Sequence, residues 1–315
     1  MISQKDFIIP ISKDLMEEEN PQISIQEGGF KTRNPKTEPR QRHFIHVSSD
    51  RKFNKTVEMV TCLHGWDTPQ KNKAMTLIVV RFHLSCSTSN HRYKSITLRF
   101  KFGENNVLSA STKSMPTVIA YAPFVETARF DETDVARTIC RTFEGTLGVN
   151  QMASAEATAG VKQEEAYNRK YFNEGTANPI INEDTGKMVG VKWYLEENAR
   201  QRDGVSPDFR IAVLLERAVH QDGSQPQFIG TLDLETEAGL LEDFRQGARR
   251  VFGLPEDDDV IFDPTLPGQG NGNIGKALLK AIEQYKDNMA VLAGDYDQLA
   301  GLCSVYGLHQ IIPAS

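Results

Sequence analysis

Apolar and polar positions alternate most cleanly in Ser95-Ile96-Thr97-Leu98-Arg99-Phe100-Lys101-Phe102. Ile96, Leu98, Phe100 and Phe102 share one parity; Thr97, Arg99 and Lys101 share the other. A period of two sends successive side chains to opposite faces, so the segment reads as a half-buried strand with one wet face. Ala74 to Leu84 is apolar almost throughout, the pattern of a strand covered on both sides. Thr117 to Tyr121 is a further strand stopped by Pro123, and Phe44 to Val60 holds one or two more. Strands resume at Val191 to Leu195, Phe209 to Leu215 and Phe228 to Leu234, punctuated by Gly204 and Pro207 and by Gly223 and Pro226.

Helical spacing enters twice. Asp131 to Phe143 sets Val135, Ile139 and Phe143 four apart, and an Ala/Gly/Ser/Thr-rich run from Thr146 to Gly160 follows. Residues 126–190 therefore read as a long helical insertion. From Thr236 onward Leu240, Leu241, Phe244, Ala248, Val251 and Phe252 make one stripe. Asn273 to Leu292 carries a second, with Ile274, Leu278, Ile282, Tyr285 and Met289. Asp295 is placed to cap a third helix, running to about Tyr306 and ended by Gly307.

About seven strands without β-α-β alternation predict a mainly β (α+β) protein. The expected architecture is an antiparallel β-sandwich with a long helical insertion and a helical C-terminal section. The expected boundaries are an extended N-terminal arm at 1–43, a sandwich at 44–235 interrupted by 126–190, and helices at 236–315 packed on the sandwich.

Charge is segregated in the arm. Asp14, Glu17, Glu18 and Glu19 precede a basic block of Lys31, Arg33, Lys36, Arg40 and Arg42, and Pro10, Pro21, Pro35 and Pro39 interrupt any helix. Such a segment has no core of its own. It reads as a strap that orders against another protein subunit, with Phe7, Ile8 and Ile9 as apolar anchors and the basic block facing acidic surface.

Composition narrows the classes. The 315 residues are 39% hydrophobic and 25% charged, with a net charge of −6. That balance allows a core and argues against nucleic acid as a partner, since such proteins are normally basic. No apolar run approaches the roughly 20 residues that span a bilayer, and the start lacks the apolar stretch of a secretory signal. Four widely spaced cysteines, Cys62, Cys86, Cys140 and Cys303, suit free thiols in a reducing compartment, so a cytoplasmic location is expected.

Three groups carry candidate chemistry. Gly270-Asn271-Gly272-Asn273-Ile274-Gly275-Lys276 satisfies both G-x-G-x-x-G and G-x-x-x-x-G-K, patterns in which glycines let backbone N–H groups approach a phosphate. Ala277 stands where a P-loop needs a hydroxyl for magnesium, and Pro264 and Pro267 separate the loop from the preceding apolar Val260-Ile261-Phe262. A flexible linker capped into a helix is the competing reading. Cys62, His64, Cys86 and His91 offer four zinc-type ligands at spacings that match no finger; Cys62 and Cys86 equally suit strand interiors. The acidic run Glu256 to Asp259, with Asp263, lacks the spacing of a calcium loop. Trp66 lies between Gly65 and Asp67 in an expected turn, which makes it a candidate interface residue.

Lys94 to Phe100, Pro116 to Pro123, Val191 to Asn198, Phe209 to Leu215 and Asp259 to Pro264 together resemble a family of β-rich proteins from filamentous fungi, over about residues 90–265. The resemblance implies a fungal context and a β-rich module and carries no activity. The expected function is accordingly non-catalytic and without a cofactor. The chain reads as a subunit or surface component of a larger assembly, in its most specific form a virion-associated protein of a fungal virus. An intracellular fungal recognition module is one alternative, and a nucleotide-binding enzyme using the 268–276 loop is another.

Overall fold

The computed structural model describes residues 32–35, 41–49, 52–87, 91–105, 115–143, 161–238, 258–303 and 312–313. The strands among them are β1 (Phe44–Ser49), β2 (Phe53–Trp66), β3 (Ala74–Cys86), β4 (Ser95–Glu104), β5 (Thr117–Ala122), β6 (Ala128–Phe143), β7 (Val161–Ile181), β8 (Met188–Glu196), β9 (Asp208–Arg217), β10 (Phe228–Glu237), β11 (Val260–Phe262), β12 (Gln269–Gly270) and β13 (Ile312–Pro313). Three short helices follow β12: α1 (Gly272–Ile282), α2 (Ala290–Gly294) and α3 (Tyr296–Gly301), with a 3-10 turn at Glu283–Tyr285.

The strands form two antiparallel sheets. One has the order β1-β2-β3-β9-β5, with β12 added beside β2; the other has the order β11-β10-β4-β8-β7-β6-β13. The alternation in β4 is realised: Ile96, Leu98 and Phe100 are fully buried, while Thr97, Arg99 and Lys101 face outward. Between the sheets, Phe82 stacks on Phe209 at 4.7 Å and Phe228 on Phe262 at 4.8 Å. Trp193 is fully buried there and donates its indole N–H to the carbonyl of Pro123 at 3.1 Å. The unbroken apolar run of β3 has its reason in a third layer. Leu77 and Val79 of β3, with Val60, Leu63 and Leu214, pack on Leu278, Ile282, Met289, Leu292 and Leu299 of the C-terminal section.

The expected helical insertion is corrected. Within residues 126–190 the described segments are the strands β6 and β7 and the start of β8. A spacing of four is also an even spacing, so Val135, Ile139 and Phe143 fit a strand as well as a helix. Thr133, Val135, Thr138, Ile139 and Thr142 supply the β-branched content that favours extended backbone. The helix expected over Asn273–Leu292 breaks after Ile282, and Asn288 N–H returns to the carbonyl of Tyr285 at 2.8 Å. Asp295 does cap α3, accepting from Gln298 N–H at 3.3 Å, and that helix stops at Gly301. The stripe expected from Thr236 begins inside β10, and residues 239–257 lie outside the described residues, as do 304–311. Among the described residues, no helix is long and apolar enough to cross a membrane.

Candidate functional site

β7 pairs with β8 from Glu174 to Ile181, and Glu174 lies opposite Glu196 at the end of β8. Its pairing with β6 continues much further, from Ala128↔Gly175 to Phe143↔Val161, with a register shift between Phe130 and Thr133. β13 meets β6 only at Ala128 and Arg129. Thr133 to Phe143 and Val161 to Tyr171 therefore form a two-stranded ribbon that, among the described residues, pairs with nothing but itself. At about 3.3 Å per residue it extends roughly 35 Å past the sheet. An isolated two-stranded ribbon is marginal in water, and each outer edge offers a row of unpaired N–H and C=O groups.

The ribbon's base is anchored by close packing. A Cβ on Gly175 would lie 2.6 Å from the Phe124 ring, so only glycine lets that ring lie across β7. Phe124 N–H donates to the Tyr296 hydroxyl at 3.1 Å, which ties the base to the helical layer. Arg129 and Glu174 approach to 3.6 Å beside it.

The root of the N-terminal arm lies at the other end of the same sheet. The Arg42 guanidinium is buried and donates to three carbonyls: Phe44 at 2.7 Å, Ile45 at 2.7 Å and Asp258 at 2.6 Å. Gln41 donates to the carbonyl of Ile261 at 2.7 Å, and Asn34 to that of Asp259 at 2.7 Å. Residues 32–34 thus run beside β11, and 41–42 tie β11 to β1. Arg42 is committed to carbonyls of its own chain, whereas Arg33 is exposed. Phe7, Ile8, Ile9, Lys31, Lys36 and Arg40 lie outside the described residues.

The glycine loop serves packing. Gly270 pairs with Thr61 of β2. A Cβ on Gly270 would fall 2.3 Å from the carbonyl oxygen of Gly275, and one on Gly275 would fall 2.3 Å from that of Val60. Asn271 donates its backbone N–H to Val60 at 2.8 Å and its side-chain amide to Met59 at 2.7 Å. These contacts seat the start of α1 on the backbone of β2. Gly272 lies at the same helix start, and Lys276 is exposed. A groove of about 720 Å³ brings Arg33 and Arg42 of the arm root beside Gly268, Gly270 and Leu279.

The four zinc-type residues divide into two pairs. Cys62 lies opposite Ile78 and Cys86 opposite Phe53, so they occupy different ends of the β2–β3 hairpin. His91 edges onto the Phe53 ring at 5.5 Å, and His64 Nε2 stands 3.6 Å from Cys62 Sγ. Burial pushes the Cys62 thiol up to about 12 and, helped by Arg217, the His64 imidazole down to about 3. The pair is a protonated thiol beside a neutral imidazole, which also meets Thr76 Oγ1 at 2.9 Å. Among the described residues, no group of three or more His, Cys, Asp or Glu is placed to hold a metal ion. Trp66 closes β2: its N–H donates to Lys286 at 2.7 Å, its carbonyl accepts from Met289 at 2.8 Å, and Lys71 Nζ lies 5.9 Å from its ring.

An ionic network escaped the sequence reading because distant strands assemble it. His43 meets Glu58 at 3.1 Å, Arg81 meets Glu58 at 3.3 Å, and Arg81 Nε donates to Asp208 Oδ1 at 3.0 Å. Burial raises the Asp208 carboxyl, but His83 and Arg81 outweigh it and hold the group at about 2. Arg81 lies between the two carboxylates and pairs with both.

No family model matches the chain. No curated protein matches it either.

Proposed function

We propose that this chain is a non-catalytic structural protein, a subunit of a larger protein assembly that acts by docking on other protein chains. The β6–β7 ribbon carries this reading. Two strands that continue past their sheet, with edges unpaired among the described residues, have their backbone groups satisfied best by another chain. The packing role of Gly270 and Gly275 and the protonated state of Cys62 favour it over nucleotide or thiol chemistry at those positions. Repeated subunits joined by such appendages build rings, filaments or closed shells, a virion shell among them.

Size-exclusion chromatography with light scattering tests the reading. The full chain is expected to run well above 35.3 kDa. A variant with residues 134–170 replaced by an Asn-Gly turn is expected at monomer mass with an unchanged cooperative melt. A full chain that stays monomeric at every concentration overturns the proposal.

A further inference from the structure

The arm and the ribbon leave the body at opposite ends of one sheet. The arm root lies along β11, and the ribbon grows from β7 and β6, with β10, β4 and β8 between them. At about 4.8 Å per strand the two origins are roughly 20–25 Å apart. Resting on the assembly reading, we propose that residues 1–31 of one copy add as an extended strand to a free edge of the β6–β7 ribbon of a second copy, head to tail.

Length, proline placement and charge all favour this occupant. The ribbon edge runs from Thr133 to Phe143 on one side and from Val161 to Tyr171 on the other. In the arm, the stretch from Ile11 to Asn20 is free of proline and bracketed by Pro10 and Pro21. Proline cannot donate to a ladder, so these two bound a strand whose length matches the edge. That stretch holds Asp14 and Glu17 to Glu19, and residues 1–31 carry six acidic against three basic side chains. The ribbon strands carry the opposite excess: Arg137, Arg141, Lys162, Arg169 and Lys170 against Asp134, Glu164 and Glu165. Main-chain hydrogen bonds supply the attachment and charge sets the direction. Two different surfaces meet, so the contact is heterologous, and successive copies add head to tail into a closed ring or an open filament.

Two variants separate the halves. One lacks residues 1–31 and keeps the ribbon; the other carries the Asn-Gly replacement of 134–170 and keeps the arm. Each alone is expected at monomer mass, and an equimolar mixture is expected to give a 1:1 complex and nothing larger. A mixture that stays monomeric, or either variant assembling alone, overturns the arm–ribbon pairing even if the parent assembles; a monomeric parent overturns the assembly reading with it. A labelled peptide of residues 1–31 titrated onto the arm-deleted chain gives a readout independent of the ribbon replacement. It is expected to bind more weakly as salt rises, and at least tenfold more weakly with Glu17, Glu18 and Glu19 changed to Lys. Absence of peptide binding also overturns the inference.

Discussion

Within β4, neighbouring side chains live in different solvents. Phe100 is fully sealed between the sheets, and Thr97 faces outward. Phe100→Ala is expected to cost about 3–5 kcal/mol through lost burial and the cavity left behind, and Thr97→Ala to stay within about 0.5 kcal/mol. Urea unfolding of the two variants checks this; equal losses would contradict the register. His64 gives a pH signature. Folded, it stays neutral down to about pH 3, whereas an exposed histidine takes up its proton near 6.5. Between those values the unfolded chain holds more protons, so stability drops by about 1.4 kcal/mol for each unit that the pH is lowered. His64→Gln should flatten that slope, measured as unfolding free energy against pH; an unchanged slope would place the acid sensitivity elsewhere. Asp208 works lower. Its folded carboxyl is depressed to about 2, so its contribution is present above its unfolded value near 3.8 and is lost as pH falls toward 2. Asp208→Asn should lower neutral-pH stability by about 1–3 kcal/mol, since it strands part of Arg81, and should remove that lowest-pH loss from the unfolding curve.

Among the elements, α1 meets β2 backbone to backbone. Gly275→Ala gains about 1 kcal/mol of helix propensity, but its Cβ would stand 2.3 Å from a backbone carbonyl that cannot swing aside. A net loss of more than about 2 kcal/mol is expected in thermal melts. Gly294→Ala, with nothing within 4 Å of its Cβ, should be neutral or slightly stabilising. The elements also differ in how far their residues announce them. β3 and β4 were legible because burial on both faces and burial on one leave different patterns. β6 was not, because Val135, Ile139 and Phe143 satisfy two periods at once, and the ribbon was hidden with it. Cys62 and Cys86 looked like partners because linear spacing carries no register. Trp66↔Ala74 lies next to the hairpin turn, which leaves one cysteine near the turn and the other at the open end. The Gly270–Lys276 pattern was visible in the sequence. What it approaches is the backbone of β2; Ala277 and the prolines before the loop spoke against a phosphate loop, but nothing local named β2 as the neighbour.

Over the whole molecule, three layers share two apolar interfaces. One sheet is covered on both faces at its centre, and its uncovered outer part carries the Glu58–Arg81–Asp208 network; the other keeps a polar outer face where Arg99 pairs with Asp233 and Glu235. Amide hydrogen exchange should therefore be slowest in β3 and β9. In the arm-deleted chain it should be far faster in residues 133–143 and 161–171, because among the described residues those stretches pair only with each other. Uniform protection across β3 and the ribbon would show that the ribbon is covered in the isolated chain.

The position of β9 has a consequence for how the chain is made. It lies between β3 and β5, so the middle of that sheet stays open until Asp208–Arg217 has been synthesised. From Cys86 onward a nascent chain carries the apolar edge of β3 with no neighbour to take it, while the strands of the opposite sheet emerge. Pairing across so long a stretch of chain is entropically slow. Refolding therefore belongs to the slow, millisecond-to-second range of β proteins, and the partly made chain is sticky throughout that interval.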